Sequence, residues 1–280
     1  MIPAAFEYAS PTTLEEALEH LQRHADEAKL LAGGHSLLPA MKLRLAQPQW
    51  LIDLRKIPGL ADLREEGPTI VLGAMTTHAA IEHSALLREQ CPLLPEVAAQ
   101  IGDVQVRNRG TLGGSLVHAD PASDWPAPIL ALEAEMVIAS AHGRRIVPAS
   151  EFFVDMMQSA VGPEEILVEV RVPKTAASVA YVKTAQKASG FAVAGVAVVL
   201  DKAARAARVA VNGVAAKAYR AEAVEAALRG HPLEAERLAA ASNHAADGID
   251  ALGDIHASSA YRAHLARVNT RRALTLAASR

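Results

Sequence analysis

Leu31-Ala32-Gly33-Gly34-His35-Ser36-Leu37-Leu38-Pro39 and Arg109-Gly110-Thr111-Leu112-Gly113-Gly114-Ser115 are the two segments that constrain the architecture most. Each holds a glycine pair followed by a serine at most two residues later. The run Lys29 to Ala32 before the first pair reads as a short strand, with a helical pattern after Pro39. Paired glycines behind a strand let the backbone turn sharply and aim consecutive N–H groups at an anion, with no Cβ in the way. A helix start beyond such a turn adds positive partial charge. Two such segments together suit a pyrophosphate, although either one alone also reads as an ordinary tight turn. The chain has no G-x-G-x-x-G, no G-K-[ST] and no G-x-S-x-G. A Rossmann dinucleotide site, a P-loop and the simplest hydrolase are therefore unsupported.

Upstream of the first pair, Ser10 to Glu16 combines a cap residue, an early proline and acidic residues, which is a helix start. Leu14, Ala17, Leu18 and Leu21 give that helix one apolar face. Trp50 to Leu54, Thr69 to Gly73, Met136 to Ser140 and Ile166 to Val172 read as strands. Residues 78–100 read as helical, interrupted at Pro92 and Pro95, and a polar segment from Gly102 to Gly110 leads into the second glycine pair. Beyond about residue 175 the pattern changes. Val179 to Thr184, Phe191 to Leu200 and Arg208 to Val214 form an apolar three-strand series, as in an antiparallel sheet, followed by Ala-rich helices at 221–228 and 261–276. The expected fold class is α+β with a boundary near 175.

Composition narrows the function. The 280 residues are enough for one large domain or two modest ones, and 51% hydrophobic with 21% charged residues is too apolar for disorder. Lys and Arg number 28 against 31 Asp and Glu, so there is no global basic field for nucleic acid, and 4% aromatic residues leave little for base stacking. A single cysteine, Cys91, excludes a disulfide framework and any iron–sulfur cluster built from this chain alone, and points to a reducing cytoplasm. The N-terminus has neither the basic start nor the apolar run of a signal peptide. The longest apolar stretch, Phe191 to Leu200, is far too short for a transmembrane segment.

Other polar groupings carry less. His118-Ala119-Asp120-Pro121-Ala122-Ser123-Asp124 reads as a loop whose acids cap their own backbone, or as a carboxylate for a ligand hydroxyl, and it lacks a third metal ligand at good spacing. His20 and His24 have the i, i+4 spacing of a metal face but lie among charges, as surface residues do. Arg262, Arg267, Arg271, Arg272 and Arg280 follow one another with no acid, along a helix whose apolar stripe is expected at Tyr261, Leu265, Val268 and Leu276. A solvated basic face, a partner subunit or anionic lipid would each suit it.

In order, the chain contains Phe6-Glu7-Tyr8, Pro11 to Leu18, the first glycine segment, Ile52-Asp53-Leu54, Gly73-Ala74-Met75-Thr76-Thr77-His78 and Arg109 to Asp124, and later Tyr219-Arg220-Ala221 and Asp254 to Arg262. That succession resembles the FAD-binding medium subunit of the molybdenum hydroxylases, carbon monoxide dehydrogenase and xanthine dehydrogenase among them, over nearly the whole chain. The resemblance implies a PCMH-type FAD-binding region at 1–175, with subdomains at about 1–57 and 58–175. A C-terminal domain would follow at 176–280, with a three-stranded antiparallel sheet and helices. It implies that Ala32, Gly33, Gly34, His35 and Ser36, with Thr111, Leu112, Gly113, Gly114 and Ser115, hold the FAD pyrophosphate, mainly through backbone N–H groups. Lys29 would start the first binding stretch and Asp124 would bond the flavin polyol. Ile166 and Leu167 would contact the flavin, and Lys183 and Phe191 would face its ring. At Gly190-Phe191 this chain departs from the Asp-Tyr pair frequent in the family, losing an acid and a hydroxyl, and His35 replaces a frequent Gln.

The implied activity is electron transfer within an oxidoreductase complex. FAD would be bound non-covalently here, with the molybdenum cofactor on a large subunit and [2Fe-2S] clusters on a small subunit, in a dimer of heterotrimers. No acid–base catalytic residue and no metal ligand is assigned to this chain. The complex would be cytoplasmic, with peripheral attachment at the inner face of the membrane as a variant placement. A free-standing flavin oxidoreductase is the alternative, and it would use His35 or His118 as proton acceptor. A non-catalytic assembly subunit, its glycine segments only turns, is the third reading.

Overall fold

The computed structural model describes residues 1–280, which form three successive main sheets with their helices and one small two-stranded pair. The first unit runs β1 (Glu7–Ala9), α1 (Leu14–His24), β2 (Ala28–Leu31), α2 (Leu37–Lys42) and β3 (Trp50–Asp53). Its strands lie in the order β1-β3-β2, all parallel. Thr13 caps α1 by accepting from the Glu16 amide, with Glu15 and Glu16 in the first turn, so the acidic start complements the exposed N–H groups. Ala17, Leu18 and Leu21 are buried. His20 and His24 are half-buried, and the His24 ring stacks on Trp50 at 3.9 Å.

The second unit opens with a hairpin, β4 (Leu63–Glu66) and β5 (Thr69–Gly73). Six short helices follow: α3 (His78–His83), α4 (Ala85–Gln90), α5 (Leu93–Ala98), α6 (Val104–Arg109), α7 (Leu112–His118) and α8 (Pro126–Ala131). Then come β6 (Glu135–Ser140), β7 (Gly143–Pro148), α9 (Ala149–Phe152), the small pair β8 (Phe153–Asp155) and β9 (Gln158–Ser159), and β10 (Ile166–Pro173). The antiparallel order β4-β5-β10-β6-β7 puts the last strand in the middle of the sheet. The helices cover this sheet over a core that includes the fully buried Trp125 and Phe152.

In the third unit β11 (Ser178–Ala185), β12 (Ala192–Asp201), β13 (Ala206–Asn212) and the two-residue β14 (Tyr219–Arg220) form one antiparallel sheet in sequence order. Helices α10 (Glu222–Leu228), α11 (Ala235–Ser242) and α12 (Ser259–Ser279) follow. Strand β12 is buried at nine of its ten positions. Val196, Val198 and Leu200 pack with the third unit's own helices, while Ala197 and Val199 join the core of the second unit. That is the pattern of a strand covered on both faces.

The structure corrects several expectations. The antiparallel sheet gains a fourth strand, β14, and a third helix, α11, lies between the two expected. The segment Gly102 to Gly110 contains a helix, α6, because Asp103 caps both the Gln105 and Val106 amides. Pro95 does not interrupt α5; it sits in the first turn, where its missing N–H costs nothing. Helix α2 begins at Leu37, ahead of Pro39. The buried stripe of α12 is Arg262, Leu265, Ala266, Asn269, Thr270, Ala273, Leu274 and Ala277, whereas Tyr261 and Leu276 are exposed. Hydropathy misses it because three of its members, Arg262, Asn269 and Thr270, are polar, and two of them bond the sheet. Arg262 donates to the Val193 and Gly213 carbonyls at 2.8 and 2.5 Å and pairs with Asp254 at 2.6 Å. Asn269 donates to the Ala194 carbonyl and the Thr184 hydroxyl, each at 3.0 Å.

Asn269→Ala should therefore cost about 1–3 kcal/mol, read as a lower urea midpoint, because it strips a buried carbonyl of its partner. Arg271→Ala, on the exposed face of the same helix, should stay within about 0.5 kcal/mol of the parent. The buried Cys91 thiol is pushed up to about 12 by desolvation. A thiol reagent at neutral pH should label no cysteine in the folded chain and one in denaturant.

Candidate functional site

A cavity of about 670 Å³ opens where the three units meet, within the range of pockets that hold drug-sized ligands, about 300–1,000 Å³. Around it stand the carboxyl end of β2, the amino end of α7, the start of β10 and the Ser189–Phe191 turn. Of the residues that the resemblance assigns, all but Leu112 and Lys183 line its wall.

The first glycine segment is built to offer donors. Between β2 and α2 the backbone amides of Ala32, Gly33, Gly34, His35 and Ser36 donate to no group in the protein. Five consecutive unpartnered N–H groups form a concavity suited to an anion. Gly34 has φ +77°, a conformation that favours glycine. Gly33 serves a different purpose, because a Cβ there would run into the Arg109 carbonyl and the Gly110 Cα. The absence of a side chain is what lets the two glycine segments touch.

The second segment is not a loop. Gly113 and Gly114 lie in the first turn of α7, capped by the Thr111 hydroxyl, which accepts from the Gly114 amide. The Leu112 and Gly113 amides donate to the Thr76 and Ala74 carbonyls, and that of Ser115 donates to Thr111. Only the Thr111 amide is left uncommitted in this stretch. A Cβ on Gly113 would collide with Ala74, so this glycine serves close helix–strand packing. The expected symmetry between the two segments fails here: the first presents amides to a ligand and the second mostly spends them on the fold. Leu112 is wholly buried in the core.

Ile166 and Leu167 reach the wall from the start of β10, next to a bulge that breaks its register with β6 between Leu167 and Glu169; bulges re-aim side chains in this way. Ile101 and Val106 add apolar surface. Phe191, 47% exposed, stands at the mouth on a turn whose Gly190 has φ +77°.

Lys183 does not face the cavity. Its ammonium is buried and donates to the Gln100 carbonyl at 2.7 Å, the Gly190 carbonyl at 2.8 Å and Asp124 at 3.0 Å. The Tyr181 hydroxyl donates to Asp124 at 2.6 Å. Burial pushes the Asp124 carboxyl up from its ordinary value, while Lys183 and Tyr181 pull the other way; Tyr181 is itself raised well above the usual range by burial and that carboxylate. Asp124 reaches the wall, but the clasp to Lys183 and Tyr181 already occupies both of its oxygens. The Asp120 carboxylate caps the Ala122 amide, as the capping-loop reading of 118–124 has it.

Sequence reasoning passed over His78. It lines the cavity, is 4% exposed, and accepts at Nδ1 from the Trp125 indole N–H at 3.1 Å. Burial first, then the charges of His35 and Arg107, bring its pKa down to about 4, so the ring is neutral near pH 7. Its position inside Gly73-Ala74-Met75-Thr76-Thr77-His78 was the available signal.

That depressed value fixes a pH dependence. The unfolded ring titrates near about 6.5, so between that pH and about 4 the folded chain binds fewer protons than the unfolded one. The stability linked to His78 is whole above about 6.5 and is lost as pH falls toward 4, at up to about 1.4 kcal/mol per pH unit. Urea unfolding across this window should show the slope in the parent and a shallower one in His78→Asn.

Comparison with known proteins agrees with this geometry. A family described as the FAD binding domain in molybdopterin dehydrogenase matches residues 4–175, and the CO dehydrogenase flavoprotein C-terminal domain matches 179–277. The carbon monoxide dehydrogenase medium chain of Hydrogenophaga pseudoflava is 41% identical over 285 residues, spanning 100% of this chain and 99% of that one. The nicotine 6-hydroxylase medium subunit of Paenarthrobacter nicotinovorans is 38% identical over 279 residues, spanning 99% and 98%. A solved structure of carbon monoxide dehydrogenase from Hydrogenophaga pseudoflava superposes with a TM-score of 0.96 at 43% identity, covering 100% of this chain and 99% of that one. Matched along its whole length, the chain belongs to the FAD-binding medium subunits of the molybdenum hydroxylase family.

Proposed function

We propose that the chain is the electron-transfer subunit of a three-subunit molybdenum hydroxylase. It would accept electrons from [2Fe-2S] clusters on a small subunit, fed by a molybdenum cofactor on a large subunit, and deliver them to an external acceptor. The observation that carries the reading is the run of unpartnered amides from Ala32 to Ser36 beside an apolar wall. A dinucleotide offers the matching pair of surfaces, a diphosphate for the amides and a flat ring for Ile101, Leu167 and Phe191. Bound FAD would supply the one- and two-electron redox chemistry that side chains lack.

The protein's own part is to bind and orient. Gly33 and Gly34 shape the anion concavity, and Ser36, Thr111 and Ser115 add polar groups along the wall. Lys29 is the one lysine or arginine on that wall. Ile166 and Leu167 pack beside the ring, and Phe191 covers it without the hydroxyl that the family tyrosine would bring. Lys183 holds the Phe191 turn in place from behind. No side chain is assigned to proton transfer. The ligand is held non-covalently, with His35 as a neighbour of the diphosphate. We place the division between the FAD-binding domain and the C-terminal domain at 175, and the assembly as a cytoplasmic dimer of heterotrimers. The single, buried thiol supports the partner requirement, since clusters must come on another polypeptide.

Native purification tests this. The chain should be yellow, co-elute with iron–sulfur and molybdenum subunits, and release about one FAD into the supernatant on acid precipitation. A solitary flavoprotein that is fully active on its own small substrate would overturn the assignment, and flavin remaining in the precipitate would overturn non-covalent binding. Gly33→Ala should cost flavin occupancy, because its Cβ forces the two glycine segments apart.

A further inference from the structure

His78 carries an unused hydrogen-bond donor. The Trp125 indole can only donate, so Nδ1 of the neutral imidazole accepts and the proton sits on Nε2. That N–H makes no bond within the protein although the side chain is almost wholly buried. Nε2 is not among the partnerless side-chain atoms sealed from solvent, so this donor opens to the cavity, where a ligand acceptor can take it.

Its surroundings say which part of a ligand it meets. The His78 amide donates to the Gly110 carbonyl at 3.0 Å, and the ring lies so close to Gly110 that a Cβ there would fall 2.7 Å from Nε2. Gly110 is also the residue against which Gly33 packs. Nε2 therefore stands against Gly110, at the junction of the two glycine segments, in the cavity that the uncommitted amides of Ala32 to Ser36 and Thr111 also line. No arginine and a single lysine, Lys29, line the cavity. A diphosphate there must be held largely by neutral donors, and a neutral imidazole serves without the desolvation that a buried cation demands.

We propose that His78 is a cofactor-binding residue whose Nε2–H donates to the diphosphate of the bound dinucleotide where the two glycine segments meet. Trp125 is the positioning residue that fixes its tautomer and ring plane. The inference rests on reading the cavity as the FAD site.

The test is isothermal titration of the full-length chain, stripped of flavin, with FAD, ADP and adenosine. ADP and adenosine differ only in the diphosphate. His78→Asn keeps an acceptor for the Trp125 indole but removes the donor at the Nε2 position. It should weaken FAD and ADP by about tenfold or more, as expected for a bond to a charged acceptor, and leave adenosine within about twofold. His78→Gln, which reaches the Nε2 position with an amide donor, should recover part of the loss. Equal weakening of ADP and adenosine would mean a merely structural role and overturn the proposal, as would undiminished ADP binding. Failure of the parent chain to bind FAD at all would overturn the proposed function as well, so the two failures are told apart.

Discussion

Everything at the site depends on two backbones touching where residue 33 has no side chain. The Ala32–Ser36 turn belongs to a parallel three-stranded sheet, and the Arg109–Thr111 corner belongs to a helical layer over an antiparallel one. Gly33 lets them meet at van der Waals distance. Gly73 does the same against the Leu60 carbonyl, and Gly113 against Ala74. The Gly33 contact forms the seam between the first two units, the Gly73 and Gly113 contacts tighten the packing behind it, and the cavity is what the seam leaves open. Glycine is used here less for unusual φ than for thinness, since only Gly34 of the four has positive φ.

The electrostatics follow from the same economy. An anion concavity made of amides supplies partial positive charge that needs no counter-ion when the ligand is absent, unlike a cluster of arginines. The cationic side chain expected near the ring, Lys183, is turned away and satisfied by two carbonyls and Asp124. Its Gly190 contact ties the turn bearing Phe191, and its Gln100 contact ties that turn to the helical layer. A buried pair of this kind adds little net stability after desolvation. What it supplies is geometry, a fixed distance between the third unit and the wall of the cavity.

Much of this was legible in the residues. The strands at 29–31, 50–53, 69–73 and 166–172 and the antiparallel series after 178 follow from hydrophobic period and turn residues, because burial acts on side chains one element at a time. Both glycine pairs lie on the wall of the cavity. The sequence could not separate a glycine that frees amides from one that permits packing, and so gave 33–34 and 113–114 the same part. That difference lies in which carbonyls, distant in sequence, arrive nearby: Ala74 and Thr76 claim the second segment's amides. Lys183 went astray for the same reason, as its partners Gln100 and Asp124 come from another unit. Helix α12 was misjudged by about one residue of rotation, because Arg262, Asn269 and Thr270 are inside, where hydropathy predicts only apolar groups. His78 stayed hidden because a tautomer is set by its partner, and Trp125 is 47 residues away.

Strand β12 also bears on how such a chain can change over evolutionary time. Its even-numbered valines belong to one core and Ala197 and Val199 to the other, so each substitution on the strand is judged by only one of two neighbours. The halves look modular along the sequence, yet they share a wall one strand thick. An exchange of C-terminal halves between relatives would have to match the small side chains at 197 and 199 to the foreign surface of α8, or open voids and clashes there. Recombination near residue 175 is thus constrained by a row of methyl groups rather than by the linker.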